Sequence, residues 1–239
     1  MLRIDHMMNF HRLFWIPRGM ENREGVYVNY PAEELYAILT LESCRHRSVI
    51  IGEDLGMVPP EVRPMMDQHG LFRMFVGQYA LIAENQIGNI PPRSVASLNT
   101  HDMFPFAAFW QESDIPARRD LHLVSDSEAA LELGQRQQVK KALINLFHSR
   151  GFSDISPQDP SAALQAILIL LARSPAYGLL VNLEDLWLET APQNVPGLRR
   201  DHNWSHKARY SLEEICNLQD LLVLLRKIDQ SRRERSLAT

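Results

Sequence analysis

Val49-Ile50-Ile51-Gly52-Glu53-Asp54-Leu55-Gly56 is an apolar run that stops on two acids. It is β-branched and continuous rather than alternating, the pattern of a strand buried on both faces. Two further stretches share its grammar: Leu2-Arg3-Ile4-Asp5-His6 and Val95-Ala96-Ser97-Leu98-Asn99-Thr100-His101-Asp102. In (β/α)8 barrels the chemistry sits at the C-terminal ends of the strands, where a charge leaves the packed interior for a polar pocket. A single acid in this position reads equally well as a helix N-cap or a surface ion-pair partner. Repetition changes that balance, because each acid here has a polar or ionisable neighbour: Arg3 and His6 around Asp5, Asp54 after Glu53, and His101 before Asp102.

Working outward, candidate strands fall at about residues 2–5, 48–53, 71–76, 95–99 and 178–183, five where a closed barrel needs eight. Residues 31–47 read as a helix with Pro31 in its first turn and an apolar face of Leu35, Ile38, Leu39 and Leu41. Residues 59–69 read as another, closed by Gly70. Residues 114–151 are polar and mostly helical, an insertion expected to pack outside the barrel and to carry no function. A buried helix over residues 161–172 is expected before the last strand. An amphipathic helix over residues 211–235 should then turn Leu218, Leu221, Leu222 and Leu225 inward.

The composition excludes several classes. The basic cluster Arg226, Lys227, Arg232, Arg233 and Arg235 invites a nucleic-acid reading, but the chain has net charge −4 and cations favour helix C-termini, so it is read as a solvated face. The N-terminus lacks the pattern of a signal peptide. The longest apolar run, residues 162–172, contains Gln165 and is too short to span a bilayer. Cys44 and Cys216 follow no metal or redox spacing. A cytoplasmic enzyme with no membrane and no nucleic-acid partner is expected.

The blocks Leu2-Arg3-Ile4-Asp5-His6, Gly52-Glu53-Asp54-Leu55-Gly56 and Thr100-His101-Asp102 resemble the three signature blocks of the 4-α-glucanotransferases. These are the amylomaltases or disproportionating enzymes of glycoside hydrolase family 77, relatives of the α-amylases. Phe14-Trp15-Ile16-Pro17, Tyr27-Val28-Asn29-Tyr30-Pro31, Val58-Pro59-Pro60-Glu61-Val62, Gln193-Asn194-Val195-Pro196-Gly197 and Asn203-Trp204 match in the same order. The resemblance implies an α/β fold, a partial (β/α)8 TIM barrel. It would hold strands four to eight with helical insertions, the N-terminal strands missing, and residues 1–239 would be the C-terminal part of the catalytic barrel. Such a piece has two open sheet edges and a candidate nucleophile near a free terminus, so it is expected to be inactive alone.

The resemblance further implies Asp5 as nucleophile, Glu53 as acid/base and Asp102 as the carboxylate that grips sugar hydroxyls, in a retaining double displacement on α-1,4-glucans and malto-oligosaccharides. The residues fit. Arg3, two positions from Asp5, shares its strand face and can aim it. Asp54, with apolar Ile50 and Ile51, disfavours a further charge on Glu53. His6 and His101 are candidate donors to the glucose, and Asp54, Trp15, Tyr27 and Asn194 candidate substrate contacts; Phe14, Tyr30, Phe104, Phe106 and Trp110 are further stacking candidates. Neither cofactor nor metal is implied, since no pair has helical ligand spacing. Phe104 and Leu198 stand where the family commonly has proline and threonine, which puts the outer subsites in doubt. The alternatives are an amylase-like α-glucan hydrolase and a non-catalytic truncated remnant; the missing N-terminal part of the same enzyme is a candidate partner.

Overall fold

The computed structural model describes residues 1–84, 86–153, 155–198 and 203–237. The first part of the chain forms β1 (Leu2–Ile4), a 3-10 turn (Met7–Phe10), β2 (Arg12–Trp15), β3 (Val26–Asn29), α1 (Ala32–His46), β4 (Ile50–Gly52), α2 (Val62–Gln68), β5 (Phe72–Val76), α3 (Gly77–Glu84) and β6 (Ser94–Ser97). After β6 come α4 (Phe106–Gln111), α5 (Asp114–Asp120), α6 (Asp126–Ser149), α7 (Pro160–Ala172), β7 (Gly178–Leu180), α8 (Leu183–Leu186), α9 (Leu212–Ile215) and α10 (Gln219–Leu237).

Five strands form one sheet in the order β1-β4-β5-β6-β7. The pairs β1/β4 and β4/β5 are parallel, with Ile4 opposite Gly52 and Gly52 opposite Arg73. Strand–helix alternation with sequential parallel neighbours is a five-strand portion of a (β/α)8 barrel. All five expected strands are present, each one to three residues shorter than its apolar run. β4 and β6 are buried at every residue, which is why their runs are continuously apolar or small. The antiparallel hairpin β2–β3 was not anticipated; Arg12-Leu13-Phe14-Trp15 offers an aromatic strand but no alternation, and ten residues separate it from its mate.

The chain divides into two compact units, Met1–Phe75 with Pro91–Val95, and Val76–Ile90 with Ala96–Thr239. In the first, Met7, Met8, Tyr36, Ile50, Val62, Met66 and Leu71 make a core, with Leu39 and Phe10 packed against it. The expected face of α1 is corrected here: Tyr36 is its fully buried residue, while Ile38 and Leu41 are exposed. Tyr36 wins because its ring meets Phe10 edge-on at 5.2 Å and stacks on His69 at 5.3 Å. Burial and the nearby Asp54 push its hydroxyl up to about 12, so it stays neutral.

In the second unit α7 is apolar nearly all round and buried, with Asp159 capping it by accepting from Ser161 and Ala162 N–H. Residues 114–151 supply α5 and α6, fastened by a buried ion pair between Asp114 and Arg136 at 2.8 Å. Ser125 and Glu128 close a capping box at the start of α6. The terminal helix is in two pieces, α9 and α10; of the expected inward set Leu221 is buried, joined by Leu224 and Ile228, while Leu218, Leu222 and Leu225 are half-buried. The basic cluster is not all solvated. Arg232 donates to the carbonyls of Ala172, Ser174 and Ala176, and Arg235 to those of Pro175 and Ala176. Two cations thus satisfy orphan carbonyls where α7 ends. Among the described residues no helix is long and apolar enough to cross a membrane.

Candidate active site

The register of β1 with β4 brings two acidic residues to the same level of the sheet. Ile4 pairs with Gly52, so Asp5 and Glu53 are each the first residue past paired parallel strand ends. Asp5 is largely exposed, and the Arg3 guanidinium holds one of its oxygens at 2.7 Å, as their shared strand face predicts. Glu53 is buried, 8% exposed. Its Oε2 accepts the His6 N–H at 2.9 Å and its Oε1 the Leu55 N–H at 2.6 Å. The turn after β1 wraps round this residue: Glu53 N–H reaches the Ile4 carbonyl, and Met7 N–H the Glu53 carbonyl, each at 2.9 Å. His6 has a left-handed backbone, φ 52, so the chain turns sharply just after its donating N–H. A non-glycine in that region is a strained residue of the kind that gathers at functional sites.

Gly52 is required by crowding. A Cβ there would stand 2.4 Å from Met7 Cγ and 2.6 Å from Met66 Cε, so any side chain would push Glu53 and the core apart.

Asp54 corrects the sequence reading. It is 1% exposed, and its carboxylate is filled by Arg63 Nε and Arg73 Nε at 2.9 Å and by the Met74 N–H at 3.2 Å. It presents nothing to a ligand, and the two guanidiniums answer the charge that was expected to bear on Glu53. The acid instead ties the end of β4 to α2 and β5.

Trp15 and Tyr27 lie on the β2–β3 hairpin and are exposed, 55% each. Tyr27 packs against Phe14 with ring centroids 5.0 Å apart, the Arg12 guanidinium covers its ring, and Trp15 Nε1 donates to the Tyr30 hydroxyl at 3.0 Å. A rigid, exposed aromatic face is what sugar stacking needs. Phe106 and Trp110, in contrast, are fully buried core residues of the second unit.

In the second unit Asp102 ends the β6 segment. Asn194 Nδ2 donates to its Oδ1, and His101 Nε2 lies 3.5 Å from its Oδ2. Asn194 is held by its own turn: Asn203 bonds both the N–H and the carbonyl of Val195, and Trp204 N–H reaches the Gln193 carbonyl at 2.8 Å. That turn brings the exposed Trp204 ring to 5.3 Å from His101. Trp204 was not among the candidate contacts, and the only signal was its place in a matching block. Asp102 and Asn194 line a cavity of about 520 Å³ together with Tyr79, Arg118, Glu132 and Gln135. Helices α5 and α6 therefore border the cavity that Asp102 faces, a role the sequence reading had not given them.

Asp5 and Glu53 thus stand one residue past paired parallel strand ends, the level at which (β/α)8 barrel proteins carry their sites. The chain belongs to the 4-alpha-glucanotransferase family, whose profile matches residues 1–213. It is 33% identical to the 4-alpha-glucanotransferase of Haemophilus influenzae over 97% of this chain and 34% of that protein. Against that of Mycobacterium tuberculosis it is 31% identical over 85% of this chain and 29% of the relative. Its fold matches the crystal structure of amylomaltase from Corynebacterium glutamicum with TM-score 0.79 at 23% identity, over 96% of this chain and 35% of that one. It also matches amylomaltase from Streptococcus agalactiae in complex with acarbose, TM-score 0.68 at 18% identity, over 95% and 40% respectively. The chain spans about a third of the length of these relatives.

Proposed function

We propose that this chain carries the catalytic residues of a 4-α-glucanotransferase, which moves α-1,4-glucan segments between malto-oligosaccharides by a retaining double displacement. The observation that carries the reading is the β1–β4 register, which sets Asp5 and Glu53 at equal height on neighbouring strands. Retaining glycosidases need two carboxyl groups close together, one to attack and one to protonate.

In the first half-reaction an Asp5 oxygen attacks the anomeric carbon. The glycosidic C–O bond breaks, and Glu53 gives its proton to the departing oxygen. Arg3 keeps Asp5 aimed at the carbon. Each Glu53 oxygen accepts one backbone N–H, which fixes the carboxyl group while leaving a second lone-pair site on each oxygen for the proton it transfers. In the second half-reaction Glu53 removes the proton from an acceptor hydroxyl, that oxygen attacks the glycosyl ester, and Asp5 leaves as carboxylate. Two inversions give retention. Asp102, His6, His101 and Asn194 bind sugar hydroxyls; Trp15 and Tyr27 offer rings for stacking. A cytoplasmic setting fits two exposed cysteines with no bond between them.

The rest of the barrel is proposed to come from residues outside these 239, which would wall the donor side. The test is maltotriose disproportionation by the purified chain, alone and mixed with a separately produced N-terminal portion of a relative. Moving a maltosyl unit from one maltotriose to another gives glucose and maltopentaose. We expect negligible turnover alone and both products on mixing. Robust turnover by the chain alone would remove the need for the extra wall; glucose without longer products would mean a hydrolase; no turnover in either preparation would overturn the reading.

A further inference from the structure

The second unit contains a buried anion that the mechanism above does not use. Asp185, in α8 just after β7, is 1% exposed. Its Oδ1 accepts the Phe106 N–H at 2.7 Å and Asn99 Nδ2 at 3.1 Å, and its Oδ2 accepts the same Nδ2 at 2.9 Å. Asn99 is buried too; it donates further to Gln78 Oε1 at 3.1 Å, and Asn182 Nδ2 donates to its Oδ1. Gln78 in turn donates from Nε2 to the Phe104 carbonyl at 3.2 Å.

The placement of these bonds along the chain matters. Asn99 and Phe106 are the two stems of the loop that carries His101 and Asp102, and one carboxylate holds both. Gln78 adds a third anchor on the loop's return, at Phe104. Burying a carboxylate costs free energy unless its acceptors are filled, and here every donor it collects belongs to that loop. α8 itself draws nothing from it, since neither end of that short helix bonds the side chain.

We propose that Asp185 is a positioning residue for Asp102: it clamps the stems of the Asn99–Phe106 loop so that Asp102 and His101 stand in fixed places for the sugar. This rests on the reading of Asp102 as the carboxylate that grips sugar hydroxyls. Asp185→Asn keeps the shape and one acceptor for Phe106, but turns a donor toward the Asn99 amide.

The test reads the loop and the activity separately. The His101 ring lies beside the Trp204 ring, so its proton resonances carry a ring-current displacement that reports where the loop sits. In Asp185→Asn these signals should move toward those of a free histidine at temperatures where the protein stays folded. In the mixed preparation kcat should fall about ten- to a hundredfold with KM within about twofold, as a misplaced catalytic group predicts. The double variant Asn99→Asp/Asp185→Asn exchanges donor and acceptor and should return the signals toward wild type in part, Gln78 having lost its donor. A lower Tm with unmoved His101 signals and unchanged kcat would overturn the proposal, as would a folded double variant with signals no closer to wild type. If wild type shows no turnover, the glucanotransferase reading fails while the resonances still decide the clamp. Should Asp185→Asn not fold, Gln78→Met removes the Phe104 anchor and leaves no anion unpaired; wild-type His101 signals there would count against the clamp.

Discussion

The backbone N–H of His6 donates to Glu53 Oε2 at 2.9 Å, from a residue whose backbone is left-handed at φ 52. A conformation that costs roughly 1 kcal/mol is therefore held at the very residue that donates to the buried carboxylate from the end of the neighbouring strand. The same turn carries Asp5, so the orientations of the two acids are coupled through one peptide.

Replacing the two acids should give defects of different kinds. Asp5→Asn removes the oxygen that forms the glycosyl ester and should abolish transfer from every donor. Glu53→Gln should slow glycosyl-ester formation from natural donors by about 10²–10⁴-fold while sparing that step for glycosyl fluorides, whose leaving group needs no protonation; resolution of the ester by an acceptor, which needs the Glu53 base, should be slow with either donor. Rates from maltotriose and from a fluoride donor, in the mixed preparation, separate the cases. Equal loss with both donors in the single-turnover, ester-forming step would remove the acid role from Glu53.

In a crystal structure with a bound oligosaccharide the carboxyl groups of Asp5 and Glu53 should face each other about 5–5.5 Å apart, not the roughly 6.5–9.5 Å of inverting enzymes. The first-formed product should keep the α configuration by NMR. A wider gap with an ordered β1 would end the double-displacement assignment.

Asp54→Ala leaves Arg73 and the Met74 N–H without their acceptor. Breaking a fully buried pair costs about 3–5 kcal/mol, and since the Arg63 side chain is 47% exposed and can turn to water, roughly 2–3 kcal/mol is expected. Urea unfolding measures it. A loss below about 0.5 kcal/mol would return Asp54 to the pool of ligand-facing residues.

Gly52→Ala should destabilise by about 1–3 kcal/mol, because the added methyl overlaps Met7 Cγ at 2.4 Å and Met66 Cε at 2.6 Å. Met66 ends in a flexible methyl, whereas Met7 belongs to the turn that wraps Glu53. Gly52→Ala/Met66→Ala should therefore recover little. Full recovery in that double variant would place the crowding on the wrong methionine.

Burial pushes the Asp185 carboxyl up from 3.8 to about 6, overcoming the opposing pull of the Phe106 N–H and the Asn99 amide, and nearby Glu184 adds to the rise. A raised folded-state value means the folded protein holds the proton more tightly than the unfolded chain. The stability from this group is full below pH 3.8 and is lost as pH climbs to about 6, a change of about 3 kcal/mol. Asp185→Asn lacks that slope. Urea unfolding from pH 4 to pH 7 should show the gap between wild type and variant narrowing as pH rises; parallel curves would refute the assignment.

The strands and the acids that end them were legible because burial on both faces admits only apolar or small residues, and a charge can follow only where the strand leaves the sheet. Residues 48–53 were read as a strand ending on Glu53, and Ile50–Gly52 is that strand. The contact between Arg3 and Asp5 was legible for the same local reason, the two-residue period of a strand. Asp54 was not legible. One position from Glu53, it has the same chemistry in sequence, yet its partners Arg63, Arg73 and Met74 come from 9 to 20 residues away and turn it into a structural anchor. The face of α1 was misread because an apolar stripe says which residues prefer burial, not which neighbours are there to bury them; Ile38 stays exposed while Tyr36 finds Phe10 and His69. Asp185 lies 86 positions from Asn99, and no local pattern marks that pairing. Periodicity and strand-end residue types follow from short-range backbone geometry and burial, so the sequence alone determined the five strands of the main sheet, the acids that follow them and the family. Which polar group meets which is set by long-range closure of the fold, and only the tertiary structure decided it.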